Sequence, residues 1–319
     1  MIVTLTANPS EDRTVALSSE LVRGAVLRAD RATSQAGGKG VNISRAAVAA
    51  GVPTIAVLPA DKEGPYVLEL LAAGIDCRPE HPAGPVRVNI TITERDGTTT
   101  KINAPGATVD GATLDRLSTA VVQRSAQAAW VVLAGSLPPG APDDWYATLV
   151  RALRETSAKV SVDTSGGPLT GLAASLETSA PDLMKPNGEE LAALTGANAD
   201  EIESDPAAAA RAAGRLVERG VGAVLATLGA SGAVLVTADG AWHATPPPIV
   251  VASTVGAGDS SLFGYLLAEL RGDGPAERLR SAVAYGSAAA SLPGTTIPTP
   301  TDVHPEHVVV RDLALQPSD

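Results

Sequence analysis

Residues 254–260 read Thr-Val-Gly-Ala-Gly-Asp-Ser and combine two glycines with one carboxylate. Glycine lets the backbone bend and approach a ligand closely. A helical pattern follows, and the free N–H groups of a helix's first turn favour an anion. Because a carboxylate does not bind phosphate, Asp259 needs another role, and a base that takes a proton from an attacking hydroxyl fits. The segment predicts a phosphate-binding turn containing a base; alternatively, Asp259 only caps the helix.

A second glycine-rich segment, residues 36–42, also precedes a helical pattern, which ends at Gly51. It contains Gly38 together with Lys39 and Asn42, which offer a cation and an amide. The glycine spacing differs from that of a Walker A loop, and no Ser or Thr follows the lysine. Three glycines around one lysine favour a ligand-binding loop over a plain tight turn.

Two further sets of polar residues each have two interpretations. Asp12 follows a predicted strand, residues 2–6, where a carboxylate can meet ligand hydroxyls, although turn and cap roles are commoner. Asn187 and Glu190 share one face of a predicted helix. They are suited either to a hydrated Mg²⁺ or to a capping box.

Residues 86–103 alternate in polarity on both sides of an Asp96-Gly97 turn, which predicts a β-hairpin. Parallel strands of an α/β core are usually continuous apolar runs, so we expect this hairpin to belong to a separate small sheet. Arg87 and Lys101 lie on the hairpin. They are candidate ligands for an anion, although exposed strand cations commonly serve as solvated edge protection.

Apolar strands alternate with helical patterns along the rest of the chain. This order predicts an α/β fold with a doubly wound, mostly parallel sheet and helices on both faces. Several motifs directly follow strands, where such sheets bind ligands. The turn at residues 228–233 is too short for a crossover and predicts an antiparallel strand at the sheet edge, while the chain after about Pro300 is predicted to be peripheral. The predicted strands of this sheet are residues 2–6, 53–58, 130–134, 159–163, 223–227, 234–236 and 249–252.

The composition excludes several classes of function. The chain has 319 residues, of which 45% are hydrophobic and 3% aromatic, enough for one large domain with an aliphatic core. Its formal net charge of −11 argues against a general surface for nucleic acid or anionic membrane. The single cysteine, Cys77, excludes a disulfide framework or a cysteine zinc site within the chain. Without a basic signal region or a transmembrane-length apolar run, we expect a cytoplasmic protein.

Taken together, residues 38–42 and 254–260 resemble the paired signatures of the ribokinase-like carbohydrate kinases, the phosphofructokinase B group. The resemblance covers about residues 2–300 and includes residues 8–12 and 185–190. It implies a ribokinase-like fold, with residues 1–319 as a single kinase domain. It also implies a small β-sheet lid formed by segments at about 10–36 and 86–104.

The resemblance also implies roles for individual residues. Asp259 would deprotonate the sugar hydroxyl that attacks the γ-phosphate of ATP, and Gly256, Ala257 and Gly258 would form an anion hole. The sugar and its phosphate would be bound by Asp12, Arg28, Gly38, Lys39, Asn42, Arg87, Lys101 and Ser136. The nucleotide side would comprise Lys185, Asn187, Glu190, Thr227, Gly229, Ser231, Gly232, Thr254, Gly258 and Ser287, with Asn187 and Glu190 holding Mg²⁺ through water.

Within the group, residues 101–106, 135–140 and 292–296 are most similar to the kinases of fructose 1-phosphate. The implied activity is ATP-dependent phosphorylation of fructose 1-phosphate to fructose 1,6-bisphosphate, by a homodimer paired through the lid. Tagatose 6-phosphate and fructose 6-phosphate are the alternative substrates. A non-catalytic regulator that binds sugar phosphates is the alternative of another class. Two departures from the family pattern, Glu11 and Ala104, lie on the substrate side and therefore bear on the choice of sugar.

Overall fold

The computed structural model describes residues 1–313, which form two β-sheets and a set of flanking helices. The strands are β1 (Ile2–Leu5), β2 (Ser10–Ala16), β3 (Arg31–Gly37), β4 (Thr54–Pro59), β5 (Asp76–Glu80), β6 (Arg87–Thr93), β7 (Thr99–Ile102), β8 (Trp130–Ala134), β9 (Lys159–Asp163), β10 (Leu183–Met184), β11 (Ala223–Thr227), β12 (Ala233–Thr237), β13 (Gly240–Thr245) and β14 (Val309–Leu313). The helices are α1 (Lys39–Ala49), α2 (Pro65–Ala72), α3 (Gly111–Ser125), α4 (Trp145–Leu153), α5 (Gly167–Ala174), α6 (Leu176–Ser179), α7 (Gly188–Thr195), α8 (Ala199–Ser204), α9 (Pro206–Glu218), α10 (Ala257–Leu270) and α11 (Pro275–Ala290).

The large sheet has the strand order β14-β13-β12-β11-β10-β9-β8-β1-β4-β5. Strands β11 through β5 pair in parallel, whereas β12, β13 and β14 add in antiparallel fashion. From β1 the chain winds towards β4 and β5, and then returns to build outwards from β8. The boundary between β1 and β8 is therefore a topological switch point, where open α/β sheets bind ligands beyond the strand ends.

Helices cover both faces of this sheet because the strands are apolar on both sides. In β1, Val3 and Leu5 pack into a core cluster with residues of α3, α4 and α9. The intervening Ile2 packs into a second cluster with residues of α1, α10 and α11. Since successive strand residues point to opposite faces, a four-residue strand contributes to two cores. The predicted doubly wound architecture is confirmed.

The small sheet has the strand order β3-β2-β6-β7. The predicted hairpin is confirmed as β6 and β7, which pair antiparallel in a sheet separate from the core. The polar sequence at residues 8–12 is typical of a turn, but β2 begins at Ser10 and pairs with both β3 and β6. The misassignment follows from the polar sequence of β2, Ser-Glu-Asp-Arg-Thr-Val-Ala, which gives little apolar alternation.

The strand predicted at residues 249–252 is wrong. The chain there joins neither sheet, and Val250 is 87% exposed. Residues 246–248 are three prolines, which cannot donate to a strand ladder. A β-branched run forms a strand only where it has a surface to pack against, and this one lies in the connection from β13 to α10.

The other edge of the large sheet also differs from expectation. The antiparallel strand after the turn at residues 228–233 is confirmed as β12, but β13 and β14 extend the sheet beyond it. The segment after Pro300 therefore contributes the edge strand instead of lying outside the sheet, and Val308 beside that strand is 2% exposed. Residues 314–319 lie outside the described part of the chain. In residues 1–313 no helix has both the length and the apolarity needed to cross a bilayer.

Candidate active site

A cleft of about 760 Å³ opens at the switch point between β1 and β8. Its floor is formed by chain that follows these two strands, and one wall is formed by the small sheet. It contains residues predicted from both glycine-rich segments, which are more than 200 positions apart in the sequence. The predicted site residues that line it are Asp12, Gly38, Lys39, Asn42, Arg87, Ser136, Gly256 and Asp259.

The turn at residues 254–260 begins helix α10. Gly256 is the N-cap residue with φ of 77°, a left-handed conformation that favours glycine. Asp259 lies in the first helical turn and is 7% exposed. Since the N-cap position is Gly256 and has no side-chain cap, Asp259 does not serve as the helix cap.

The first turn of α10 also supplies unpaired donors. Within residues 1–313, no hydrogen bond uses the N–H of Gly258 or Asp259, whereas the N–H of Ala257 donates to the Thr254 carbonyl at 3.4 Å. A Cβ on Gly258 would lie 3.2 Å from Lys185 Nζ, so glycine leaves room for that ammonium beside the turn. The turn therefore combines free backbone donors, a cation and a carboxylate.

The Asp259 carboxylate is prepared to accept a proton. Burial raises the pKa of Asp259 above its ordinary value, and the nearby Asp163 carboxylate also raises it. The Lys39 ammonium, a hydrogen bond from Asn42 and the Lys185 ammonium oppose this rise. The Asn42 amide donates from Nδ2 to Asp259 Oδ2 at 2.8 Å, which fixes one oxygen and leaves Oδ1 for a substrate.

Asp163, the last residue of β9, is fully buried beneath the cleft. Its Oδ1 accepts from Lys39 Nζ at 2.6 Å, and its Oδ2 lies 3.2 Å from Lys185 Nζ. These ion pairs hold the pKa of Asp163 below its usual range against the opposing effect of burial, and they hold the pKa of Lys39 above its own. Asp163 was not predicted as a site residue. The available signal was its place at the end of an apolar strand, since the segment containing Asp12 also follows such a strand.

The sugar side of the cleft is formed by the small sheet. Asp12 Oδ1 accepts from Ser10 Oγ at 2.8 Å and from Asn89 Nδ2 at 3.0 Å. A Cβ on Gly37 would lie 2.1 Å from Asp12 Oδ2, so only glycine at this position leaves room for the carboxylate. Asn89 was not predicted. The available signal was its place two residues after Arg87 on the same predicted strand, which puts both side chains on one face.

Arg87 lies at the junction of the small sheet and the core. Its Nη1 donates to the Ala104 carbonyl at 2.9 Å, and its Nη2 lies 3.4 Å from Ser136 Oγ. Burial lowers the pKa of Arg87, which identifies this guanidinium as partly desolvated. It thus presents a fixed positive charge towards the cleft. The departure at Ala104 involves the side chain, while its carbonyl still orients Arg87.

Two predicted sugar-phosphate ligands are not in the cleft. Arg28 is exposed in the connection between β2 and β3, and Lys101 is exposed on β7. Neither residue lines the cleft of this chain. A phosphate role for Arg28 would therefore need movement of its loop or a second copy of the protein.

Several of the predicted nucleotide-side residues, including Lys185, Asn187 and Thr227, lie at or just beyond the ends of β10 and β11. Thr227 N donates to the Pro186 carbonyl at 3.0 Å, which brings the chain around Lys185 beside the turn from Gly229 to Gly232. A Cβ on Gly232 would lie 1.9 Å from the Ala244 carbonyl oxygen, so the turn requires glycine there. Gly286, the neighbour of Ser287, packs against the start of α10.

Asn187 and Glu190 form a capping box at the start of α7. Asn187 Oδ1 accepts from Glu190 N at 2.7 Å, and Glu190 Oε2 accepts from Asn187 N at 2.9 Å. The hydrogen bonds of residues 1–313 do not use Glu190 Oε1. Among these residues, the one group of three His, Cys, Asp or Glu with converging ligand atoms is His304, Glu306 and His307, which is exposed and does not line the cleft.

Comparison with known proteins identifies the family. The model of the pfkB family of carbohydrate kinases matches residues 10–302. The chain belongs to this family. The match includes both glycine-rich segments, and the chain is therefore a carbohydrate kinase of this group, with the expected ribokinase-like architecture.

Individual relatives of this pfkB kinase cover nearly its whole length. It is 36% identical to the 1-phosphofructokinase of Rhodobacter capsulatus over 303 residues, which is 94% of this chain and 93% of the relative. It is 35% identical to the 1-phosphofructokinase of Haloferax volcanii over 318 residues, 98% of this chain and 99% of the relative. A crystal structure of Escherichia coli phosphofructokinase-2 in complex with fructose-6-phosphate superposes with a TM-score of 0.82 at 28% identity, covering 91% of this chain and 93% of the other.

Proposed function

We propose that this pfkB kinase transfers the γ-phosphate of ATP to the free primary hydroxyl of fructose 1-phosphate, giving fructose 1,6-bisphosphate and ADP. The observation that carries the proposal is the position of Asp259, a buried carboxylate next to unpaired N–H groups at the start of α10. A base and an anion site side by side are what phosphoryl transfer to a hydroxyl requires. The 1-phosphofructokinases that match over nearly the full chain support the choice of sugar.

In this mechanism Asp259 Oδ1 takes the proton of the attacking hydroxyl as its oxygen bonds to the γ-phosphorus. The bond from phosphorus to the ADP oxygen breaks, and ADP leaves. Negative charge that spreads over the transferring group is met by the predicted anion hole of Gly256, Ala257 and Gly258. The N–H group of Asp259 and the ammonium of Lys185 add to it. Because these groups are already in place, little reorganisation is needed at the moment of reaction.

The two ends of the sugar are held by different parts of the cleft. Asp12 accepts from a sugar hydroxyl, with Gly38 and Lys39 alongside, and Asn42 adds a further contact. Arg87 and Ser136 bind the existing phosphate, because the guanidinium fork matches phosphate oxygens. Fructose 1-phosphate and fructose 6-phosphate yield the same bisphosphate and differ only in which end faces Asp259. This explains how one architecture serves kinases of either substrate, and why fructose 6-phosphate and tagatose 6-phosphate remain in the test below.

ATP would lie along the ends of β10 and β11, with its phosphates towards Lys185 and its adenosine bordered by Thr227, Gly229, Ser231, Gly232, Thr254 and Ser287. For Mg²⁺ the residues present fit in part. The capping box occupies Asn187 Oδ1 and leaves Glu190 Oε1, an oxygen of the kind that holds hydrated Mg²⁺ through water. Bound there, Mg²⁺ would offset the charge of the nucleotide phosphates.

The small sheet would act as a lid on a single kinase domain, with segments at about 10–36 and 86–104. All seven residues of β6 are half-buried, so neither face of this strand is fully covered in one chain. A second copy pairing through this sheet would cover it, and a homodimer is the arrangement that we propose. The same pairing could bring Arg28 to a partner's cleft. The cytoplasmic location stays a prediction from the sequence.

The test is an ADP-release assay with Mg-ATP on four sugars side by side: fructose 1-phosphate, fructose 6-phosphate, tagatose 6-phosphate and fructose. We expect turnover of fructose 1-phosphate and its loss in Asp259→Asn. A preference for a 6-phosphate sugar would keep the mechanism and reject the substrate. If ATP bound but no sugar were phosphorylated, the enzyme proposal would fail in favour of a regulator that binds sugar phosphates.

A further inference from the structure

Two lysines converge on Asp163 in the transfer centre, the group formed by Asp163, Asp259 and the start of α10. Lys39 is the first residue of α1, on the sugar side, and Lys185 follows β10, on the nucleotide side. Both ammonium groups pair with Asp163, at 2.6 Å and 3.2 Å. Within residues 1–313, neither lysine forms an ion pair with Asp259, although both act electrostatically on that carboxylate.

The charged and polar groups that act on Asp259 come from three parts of the chain. Lys39 and Asn42 lie on α1, Asp163 ends β9, and Lys185 follows β10. Glu190 of α7 also acts on Lys39. Lys39, Lys185, Asp163 and Asp259 together carry no net charge when all are ionised, so the centre balances two cations with two carboxylates.

The two carboxylates differ in what they contact. Asp163 is fully buried, while the Lys39 side chain is 35% exposed and reaches Asp163 from the cleft. Among the described residues, Asp259 accepts one side-chain hydrogen bond, donated by the neutral Asn42. If Lys39 instead paired directly with Asp259, the charge-assisted bond would stabilise the ionised Asp259 carboxylate. Its pKa would fall, and Asp259 would be a weaker base.

We propose that Asp163 is a positioning residue that draws the Lys39 ammonium away from Asp259 and so keeps the catalytic carboxylate free to accept the substrate proton. The inference rests on the proposed phosphoryl transfer and deepens it, because it explains how a lysine can lie beside the base without neutralising it. Within residues 1–313, Asp163 does not line the cleft and has no hydrogen bond to Asp259.

The proposal predicts a change in the pH profile of Asp163→Asn. Without the Asp163 charge, Asp259 and Glu190 are the carboxylates that still act on Lys39, Asp259 more strongly, and the repulsion that helped to raise the pKa of Asp259 is lost. Both changes lower that pKa, so the acid limb of kcat/KM should move to lower pH. The plateau of kcat should fall by about 100-fold, since general-base catalysis contributes roughly 10²–10⁴-fold.

The experiment measures kcat and kcat/KM for the preferred sugar from pH 5 to 9 in wild type, Asp163→Asn and Asp182→Asn. Asp182 is the matched control, because its carboxylate supports β9 by accepting from Val160 N at 2.7 Å but does not act on Asp259. Lys39→Met should move the acid limb the opposite way, to higher pH. In that background the shift caused by Asp163→Asn should shrink.

An unchanged acid limb in a folded Asp163→Asn would overturn the inference, as would an equal shift in the presence and absence of Lys39. If circular dichroism shows that Asp163→Asn does not fold, Asp163→Glu replaces it, keeping the charge but moving it by one methylene. Asp163→Glu should move the acid limb of kcat/KM to lower pH by less than Asp163→Asn does. An acid limb and a kcat equal to those of wild type would count against the positioning role of Asp163. Wild type that phosphorylates none of the sugars would instead reject the proposed function.

Discussion

The transfer centre and the sugar side of the cleft are built by different means. The transfer centre joins the ends of β9 and β10 to the start of α10, and its carboxylates at Asp163 and Asp259 are buried. On the sugar side, Asp12, Arg87 and Asn89 stand on strands of the small sheet and are only half-buried. The core thus fixes the groups that perform the chemistry, while an attached sheet presents the groups that choose the sugar.

The attachment of the small sheet is itself specific. Asn8 Nδ2 donates to the Pro105 carbonyl at 3.0 Å, and Tyr66 Oη donates to the Gly37 carbonyl at 2.6 Å. Arg45 Nη2 donates to the Ala36 carbonyl at 3.0 Å. These bonds hold backbone groups where the sheet meets the core, so the attachment does not depend on the side chains that accept or donate from the strands of the small sheet.

The comparison predicts its largest effect at Asp259. Asp259→Asn removes the base but keeps the size of the side chain, so we expect kcat to fall by about 10³-fold, within the range for general-base catalysis. The KM for the sugar should change only a few-fold because the small sheet is untouched. Steady-state kinetics and calorimetric binding of the sugar measure the two effects separately.

The matched control for this substitution is Asp239→Asn, which removes the same charge from an exposed turn. It should retain wild-type kinetics. If Asp259→Asn instead kept its kcat and lost sugar binding, the division between the two regions would be wrong.

Arg87→Ala should affect KM much more than kcat, the reverse of what we expect for Asp259→Asn. Loss of a charge-assisted contact to the sugar phosphate should raise KM by about 10–100-fold, since a hydrogen bond to a charged group is worth about 1.5–3 kcal/mol. We expect kcat to stay within a few-fold. The control is Arg13→Ala, a cation 53% exposed on the same small sheet, which should leave KM unchanged. Equal KM values in Arg87→Ala and wild type would remove Arg87 from phosphate binding.

Gly37→Ala tests the sugar side through packing alone. The new Cβ would lie 2.1 Å from Asp12 Oδ2, so the carboxylate must move away from its bonds with Ser10 and Asn89. We expect KM for the sugar to rise by about tenfold, the cost of one displaced polar contact. Gly214→Ala is the control, because a Cβ there meets open space within α9. An unaltered KM would show that Asp12 does not contact the sugar.

Sequence patterns predicted the transfer centre better than they predicted the sheet that carries the sugar ligands. The two glycine-rich segments could be interpreted because glycines combined with a charged side chain directly before a helix have few joint uses. Strand β2 could not be predicted from the sequence, because half-buried strands lack the apolar alternation of a strand with one face in a core. For this reason Asn89 was missed, and the contact between Ser10 and Asp12 was not foreseen.

Long-range pairing explains the remaining errors. Residues 249–251 have strand composition, yet three prolines and the path from β13 to α10 leave them exposed. Asp163 pairs with Lys39 and Lys185, which are 146 positions apart in the sequence, so no local pattern predicts these contacts. Arg28 and Lys101 have suitable chemistry, but their positions put them outside the cleft of one chain. Composition identifies the residues that suit a role, and topology decides which of them meet.

The smallest effect that we expect concerns a direct link between the two sides of the cleft. Thr295 Oγ1, in the chain after α11, donates to Gln35 Oε1 on β3 at 2.6 Å. This bond ties the small sheet to the chain that follows the nucleotide side. Thr295→Val keeps the shape and removes the donor, and a hydrogen bond of about 0.5–1.5 kcal/mol corresponds to about a 2–10-fold change. If the bond holds the sheet over the sugar, the change should appear in kcat/KM for the sugar, with the KM for ATP unaltered. Thr296→Val, which removes a local bond to the Pro293 carbonyl, is the neighbouring control. A change confined to the KM for ATP would assign Thr295 to the nucleotide side alone, and the small sheet would then not depend on this bond.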